Sequence, residues 1–325
     1  MTAPASAGAE IEFYQAYQQA TRQAVEQVQT AWAGLDEGDP VGSWTEQVRP
    51  QTVAAVEQAQ AETASLAPVY VAAVLLAAGL VAAPVAALVA AAFAGYAANG
   101  LPLAALFDLA FGAYRRALAL GVPESEASAI GLSRLLTYTA TEISDTARLA
   151  VTAASVADPR IAGYERIVHL PACGRCILLA GRLYRFSTGF ARHPRCDCGM
   201  RPVTRTQWES HRDNNPRALF AGMTHAEQDK AFGKGDAAAI RAGADIARVV
   251  NARRPGALYV AGGHEYTRDS VTVRGAGREM GELARQRGDR YRSTRTARPT
   301  AAQLVNSARD EIELADLLRR FGYLR

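Results

Sequence analysis

The sequence predicts a mainly α protein: a helical N-terminal domain, a small α+β Cys/His knuckle module, and a basic, partly irregular C-terminal extension. Three observations carry that expectation. Apolar residues recur at three- and four-residue steps through the first half. All four cysteines fall within the 26 positions 173–198. Charge changes sign near the middle: residues 1–159 hold 6 Arg against 15 Asp/Glu (−9), and residues 160–325 hold 30 Lys/Arg against 17 Asp/Glu (+13). The expected divisions are an acidic helical domain over 1–159, the Cys/His module over 160–205, and a helical continuation over 206–252. A Gly/Arg-rich flexible segment over 253–298 and a last helix over 299–325 complete the chain.

The elements follow in order. Phe13, Tyr17, Ala20, Ala24, Val28 and Trp32 share one face of a helix over 11–33, which Gly34 and the turn residues to Pro40 end. A second helix is expected from Pro50 to Pro68. Asn99-Gly-Leu-Pro102 reads as a turn, followed by a helix over about 103–120 that Gly121 stops. Pro123-Glu-Ser-Glu126 opens a longer helix, because proline and acidic residues suit a helix N-terminus. It should run to about Val156, ahead of Asp158-Pro159. Short strands and loops are expected over 160–205, including Ile167–Leu170 and Leu183–Phe186. Thr224 with Glu227 and Thr300 with Gln303 fit capping boxes, and Asp236 fits a helix cap. Ser270–Arg274 is a short strand signal.

Composition bounds the function classes. At 325 residues and 49% hydrophobic, the chain can bury a core, which excludes a wholly disordered protein. No charge occurs from Thr63 to Phe107, and 69–95 is long enough to span a bilayer. Alanine supplies 18 of those 45 residues, however; Gly79 and Pro84 interrupt the run, and no basic flank marks a cytoplasmic end. A buried, broken helical segment is expected there, with no membrane partner. The N-terminus has no export-signal pattern, so the thiols are expected to stay reduced.

The cysteines read Cys173-Gly-Arg-Cys176, sixteen residues, then His193-Pro-Arg-Cys196-Asp-Cys198. A CxxC turn can aim two sulfurs at a metal about 2.3 Å away, and a second pair can complete a tetrahedron around zinc. Cys173, Cys176, His193, Cys196 and Cys198 are five candidates for four positions. With one residue between them, Cys196 and Cys198 should point to opposite sides of an extended strand, making one a spectator unless the loop kinks. The ligands are then four cysteines or three with His193, a closed and therefore structural zinc site. A redox CxxC pair, two disulfides, and unliganded thiols in a packed turn are the alternatives.

These residues, with Ile177-Leu-Leu-Ala-Gly181-Arg-Leu-Tyr184 between them, resemble the phage Mu F-like head-morphogenesis family. Tyr70–Leu75, Ala244–Arg254 and Leu317–Tyr323 extend the likeness toward the longer minor head proteins of actinobacteriophages, often labelled MuF-like or capsid maturation protease. The resemblance implies a soluble minor capsid protein of the virion, at the head interior or portal vertex, made and assembled in the host cytoplasm. Portal, capsid or scaffold proteins and packaged DNA are the partners it implies.

The protease label needs a nucleophile and a base, and no G-x-S-x-G or H-E-x-x-H pattern is present. His264, in Gly262-Gly-His-Glu265, is the one catalytic candidate, with Ser270 as a conceivable partner. The expected function is non-enzymatic head assembly, with a capsid maturation protease and a DNA-binding internal head protein as alternatives. For the last, Arg285, Arg287, Arg290, Arg292, Arg295 and Arg298 could neutralise phosphates, or grip an acidic protein surface, without reading sequence.

Overall fold

The structure is a computed structural model. It describes residues 6–189, 196, 198–211, 215–285, 288 and 290–324. The chain is mostly helical with small antiparallel sheets, as the apolar periodicity predicts. It divides into two compact units, Met1–Ile167 with Arg182–Arg212 and Val168–Gly181 with Asp213–Arg325. The segment 160–205, expected as one module, is thus shared between the two.

In the first unit, α1 (Ala7–Ala33) buries Tyr17, Ala20, Ala24, Val28 and Trp32 along one stripe. Asp39 then caps α2 (Pro40–Ser43), accepting from the Gly42 amide, with Pro40 in the first turn where no N–H is needed. One π turn, Trp44–Val48, leads into α3 (Arg49–Ala77). The turn rotates Trp44 inward: its indole N–H donates to Asp108 at 2.8 Å and its ring stacks on Phe111 at 4.8 Å. The helices α4 (Leu103–Ala119) and α5 (Glu124–Val156) complete a bundle whose core includes Leu103, Phe107, Tyr114, Leu135 and Ile143. Gly131 is required in it, since a Cβ there would lie 2.6 Å from the Trp32 ring.

Two expectations for this half need correcting. The second helix does not stop at Pro68. That residue is exposed, so its missing N–H and ring clash fall on the solvent side, while Tyr70, Val71, Val74 and Leu75 continue the buried stripe. Their burial outweighs the roughly 3 kcal/mol cost of an interior proline. Nor is 69–95 buried throughout: only its helical start is. The helix ends at Ala77, and an irregular strap follows, broken only by the 3₁₀ turn Ala90–Phe93, with Val81, Val85 and Val89 largely exposed. By length and composition, Pro40–Ala77 could cross a membrane, yet half of its apolar window is buried inside the fold.

The strand β1 (Ile161–Ile167) starts the first sheet. Between it and β2 (Leu183–Tyr184) the chain makes α6 (Gly174–Leu179), which belongs to the second unit. β1 lies antiparallel between β2 and β3 (Gly199–Thr204), pairing Tyr164 with Tyr184 and Arg166 with Met200. The expected strand at 167–170 is therefore shifted toward the N-terminus. The sheet packs on the ends of α3 and α5 through Tyr164, Tyr184 and Met200, and the Tyr70 hydroxyl donates to the Met200 carbonyl. α7 (Arg205–Ser210) follows β3, with Thr204 and Gln207 closing a capping box.

The second unit is built from short helices: α8 (Pro216–Ala221), α9 (His225–Phe232), α10 (Lys234–Arg241) and α11 (Ile246–Ala252). Thr224 and Glu227 form the expected capping box. Asp236 does not cap its own helix. It sits inside α10, buried, paired with Arg253, and accepts the Ala302 amide in the first turn of another helix.

Residues 253–298 carry more structure than a flexible segment. The hairpin β4 (Leu258–Ala261) and β5 (His264–Thr267) is followed by α12 (Gly277–Met280) and a ribbon of β6 (Leu283–Ala284) with β7 (Ser293–Thr294). β8 (Arg298–Pro299) pairs with β5. In place of a strand at 270–274 there is a turn, held by a single bridge from Thr272 to Ser293. The last helix is two, α13 (Ala301–Ser307) and α14 (Glu311–Arg320), broken at Ala308.

Candidate metal centre and the basic segment

The cysteines occupy two local settings. Cys173 is the N-cap of α6, with extended backbone, and Cys176 lies in the first turn. The CxxC segment is thus a helical turn rather than a loop. Gly174 between them packs against Phe232: a Cβ there would meet the ring at 2.6 Å, so any larger residue would push the turn off its own core. Ile177, fully buried in the same core, anchors the other side. The Cys173 and Cys176 sulfurs are 3.4 Å apart. That is far from the roughly 2.05 Å of a disulfide, and neither cysteine is in one.

Cys196 and Cys198 precede β3, buried to 5% and 2% exposure. Their sulfurs lie within 4.8 Å of each other. The alternation expected of an extended strand does not apply, because both residues come before the ladder begins at Gly199. Both sulfurs instead face one guanidinium: Arg166 Nη2 is 3.7 Å from Cys196 Sγ and 3.5 Å from Cys198 Sγ. Neither is a spectator on grounds of direction.

A second arginine holds the backbone here. Arg148 Nη1 donates to the Cys198 carbonyl at 2.8 Å and to the Cys196 carbonyl at 3.4 Å, while Nη2 is ion-paired with Asp145. Arg148 and Asp145 sit one turn apart on α5, and Arg166 comes from β1 with 1% exposure. Two buried guanidiniums make a positive setting suited to sulfur that carries negative charge, as metal-bound thiolate does. Sequence reasoning missed both arginines. The signal for Arg166 was strand alternation, which sets it on the same face of β1 as buried Tyr164.

Cys176, Cys196 and Cys198 are buried and Cys173 is half-buried. The cysteine cluster of the middle region could bind a metal such as zinc, for which buried thiols are fitting soft donors. His193, the fifth candidate ligand, lies outside the described residues.

The catalytic candidates do not pair. His264 is exposed at the start of β5, with Nδ1 3.0 Å from the Gln303 side-chain nitrogen. The Ser270 hydroxyl donates to Asp269 at 2.7 Å, on a backbone with φ +56°. Gln303 therefore completes no capping box. Thr300 accepts from its amide, but its side chain serves the hairpin, where its oxygen accepts from the Glu265 amide.

Of the basic set, Arg285, Arg290, Arg292 and Arg295 are exposed on and after the β6–β7 ribbon. Arg287 lies outside the described residues. The Tyr291 ring carries Arg274 at 4.4 Å and Arg290 at 5.4 Å, a cation–π arrangement on the same ribbon. Arg298 must be removed from the surface set. It is fully buried, with Nε donating to the Phe321 carbonyl and Nη1 to the Asp269 carbonyl.

No family model, curated protein or solved structure matches this chain.

Proposed function

We propose that the protein is a Mu F-like minor head protein, acting in phage capsid assembly at or near the portal without chemistry of its own. The observation that carries this reading is the motif Cys173-Gly-Arg-Cys176 … His193-Pro-Arg-Cys196-Asp-Cys198. In it the cysteines are a fastening. Cys173 and Cys176, with two of His193, Cys196 and Cys198, would hold a structural zinc ion, which supplies a cross-link and no open position for a substrate. The absence of any disulfide among the four, their burial, and the arginine beside Cys196 and Cys198 support that role.

Metal content and thiol count on protein purified without reductant test the fastening. One zinc per chain is expected, and metal-free protein with four reactive thiols overturns it. Co-expression with the portal protein tests the assembly role: co-purification without cleavage of capsid or scaffold protein is the expected result. Cleavage that His264→Ala abolishes would establish a protease instead. His264 as a base would first have to release Gln303.

One observation favours a second reading, contact with packaged DNA. The exposed Arg285, Arg290, Arg292 and Arg295 lie on and after a ribbon whose Tyr291 ring is held by Arg274 and by Arg290 itself. Such a ribbon would neutralise phosphates in any sequence, so binding to arbitrary duplex DNA should weaken steeply with salt.

A further inference from the structure

The CxxC turn holds two sulfurs of unequal exposure. Cys173 is half-buried, so a small solute can reach it, while Cys176 behind it is 3% exposed. Their sulfurs are 3.4 Å apart, and neither is in a disulfide. A disulfide requires about 2.05 Å, and tetrahedral zinc with bonds of about 2.3 Å sets its sulfurs about 3.8 Å apart. The observed separation lies between the two, within a side-chain rotation of either.

The backbone beneath the pair is held by its own unit. The Ile177 amide donates to the Cys173 carbonyl at 3.1 Å, and Ile177 is fully buried. Gly174 rests on the Phe232 ring, where a Cβ would come within 2.6 Å. A turn fixed in this way keeps the sulfurs neighbours, and groups held together react far faster than the same groups in solution. Cys196 and Cys198 differ in exposure. They are 5% and 2% exposed, their sulfurs face the Arg166 guanidinium, and Arg148 holds both carbonyls. Neither meets solvent as Cys173 does.

We propose that Cys173 and Cys176 are a site of reversible oxidation by hydroperoxides, closing to a disulfide while Cys196 and Cys198 stay reduced. The Cys173 sulfur attacks the peroxide: an S–O bond forms and the O–O bond breaks. The departing oxygen takes the thiol proton and leaves as water or an alcohol. Cys176 then attacks the resulting sulfenic acid; an S–S bond forms, the S–O bond breaks, and the hydroxyl leaves with the Cys176 proton as water. Two electrons pass from the sulfurs to the peroxide, and a dithiol returns them by exchange. A hydroperoxide is the fitting oxidant because it is small, whereas a half-buried sulfur hinders a bulky disulfide. The consequence rests on the zinc reading: zinc and the disulfide use the same two sulfurs, so oxidation undoes the fastening.

Hydrogen peroxide on the full chain tests this, once with metal removed by a chelator and once loaded with zinc. Remaining thiols are alkylated and the protein is digested with trypsin, which cuts after Arg175. Cys173 and Cys176 then leave in separate peptides, 167–175 and 176–182, which only a disulfide keeps together; Cys196 and Cys198 share one peptide. In the metal-free chain the linked pair is expected, with the thiol count falling from four to two and returning on dithiothreitol. Cys176→Ser should give no linked pair but a sulfenic acid at Cys173 that dimedone traps. Four thiols that persist without linkage overturn the proposal, as does oxidation of Cys196 and Cys198 at the same rate. In the zinc-loaded chain zinc should leave as the pair links, followed with a chromogenic chelator. Zinc that blocks the linkage, or stays bound through it, overturns the coupling. A chain that takes up no zinc yet links the pair sinks the fastening alone.

Discussion

Arg298 lies over the ring of Tyr323, its guanidinium carbon 4.0 Å from the ring centroid. The Tyr323 hydroxyl donates to the Pro299 carbonyl at 2.9 Å, so the end of the chain is tied back to the strand that carries the arginine. Burial lowers the Arg298 pKa from the ordinary guanidinium value, against the opposing pull of Tyr323 and Asp269. Arg298→Ala would leave Asp269 short of one cation and open a cavity under Tyr323. It should cost about 3–5 kcal/mol, read from the urea midpoint. Arg298→Lys keeps the charge but loses the planar stack and the forked donors, and should cost less.

Two helical glycines should respond in opposite directions. At Gly131 a Cβ meets the Trp32 ring at 2.6 Å and the Tyr114 Cβ at 2.8 Å, so Gly131→Ala forces the bundle apart. A loss of about 1–3 kcal/mol is expected. At Gly112 nothing lies within 4 Å, and Gly112→Ala should gain about 0.5–1 kcal/mol from helix propensity alone. Thermal or urea unfolding distinguishes them.

Asp158 should set part of the acid sensitivity. Hydrogen bonds from the Arg160 side chain are the main cause holding its pKa below the ordinary 3.8, with burial opposing. A lowered folded-state pKa contributes stability that is present above 3.8 and is lost as pH falls through the folded value. Asp158→Asn should therefore cost about 1–3 kcal/mol at pH 7 and flatten the loss of stability on the acid side. Denaturant melts at a series of pH values measure both effects.

Arg148 should govern access to the paired thiols of its unit. Arg148→Ala frees the carbonyls of Cys196 and Cys198 and leaves Asp145 buried without its cation. The expected destabilisation is about 3–5 kcal/mol. Alkylation of Cys196 and Cys198, followed by mass spectrometry, should quicken relative to the wild-type protein. Arg148→Lys should restore the ion pair with Asp145 but not the two-carbonyl grip, giving stability nearer wild type with thiols still more reactive.

Local signals carried much of the helical architecture. The opening at Pro123 and the stop before Asp158-Pro159 bound α5 almost to the residue, because proline and an acidic first turn act through the backbone nearest them. The turn at Asn99–Pro102, the start of α4 and the capping box at Thr224 were legible for the same reason. So were the cysteine spacing and the zinc-like donor set it offers.

Whatever depends on distant neighbours was decided only by the tertiary structure. Apolar composition made 69–95 look buried, but burial is a property of what packs on a segment, and among the described residues little covers Val81 or Val85. Helix α3 passes Pro68 because α1 and α5 bury the residues beyond it. Arg298, one basic residue among several in a run, is buried because Tyr323 and Asp269 receive it, at a separation in sequence that no local pattern records. Asp236 has the chemistry of a cap, and folding assigns it to a helix that starts more than sixty residues later. The cysteines show both levels at once: spacing names the sulfurs, but strand alternation would have turned Cys196 and Cys198 apart. The start of the β3 ladder and a buried arginine turn them the same way, because a guanidinium taken from water must meet electron-rich atoms in the fold.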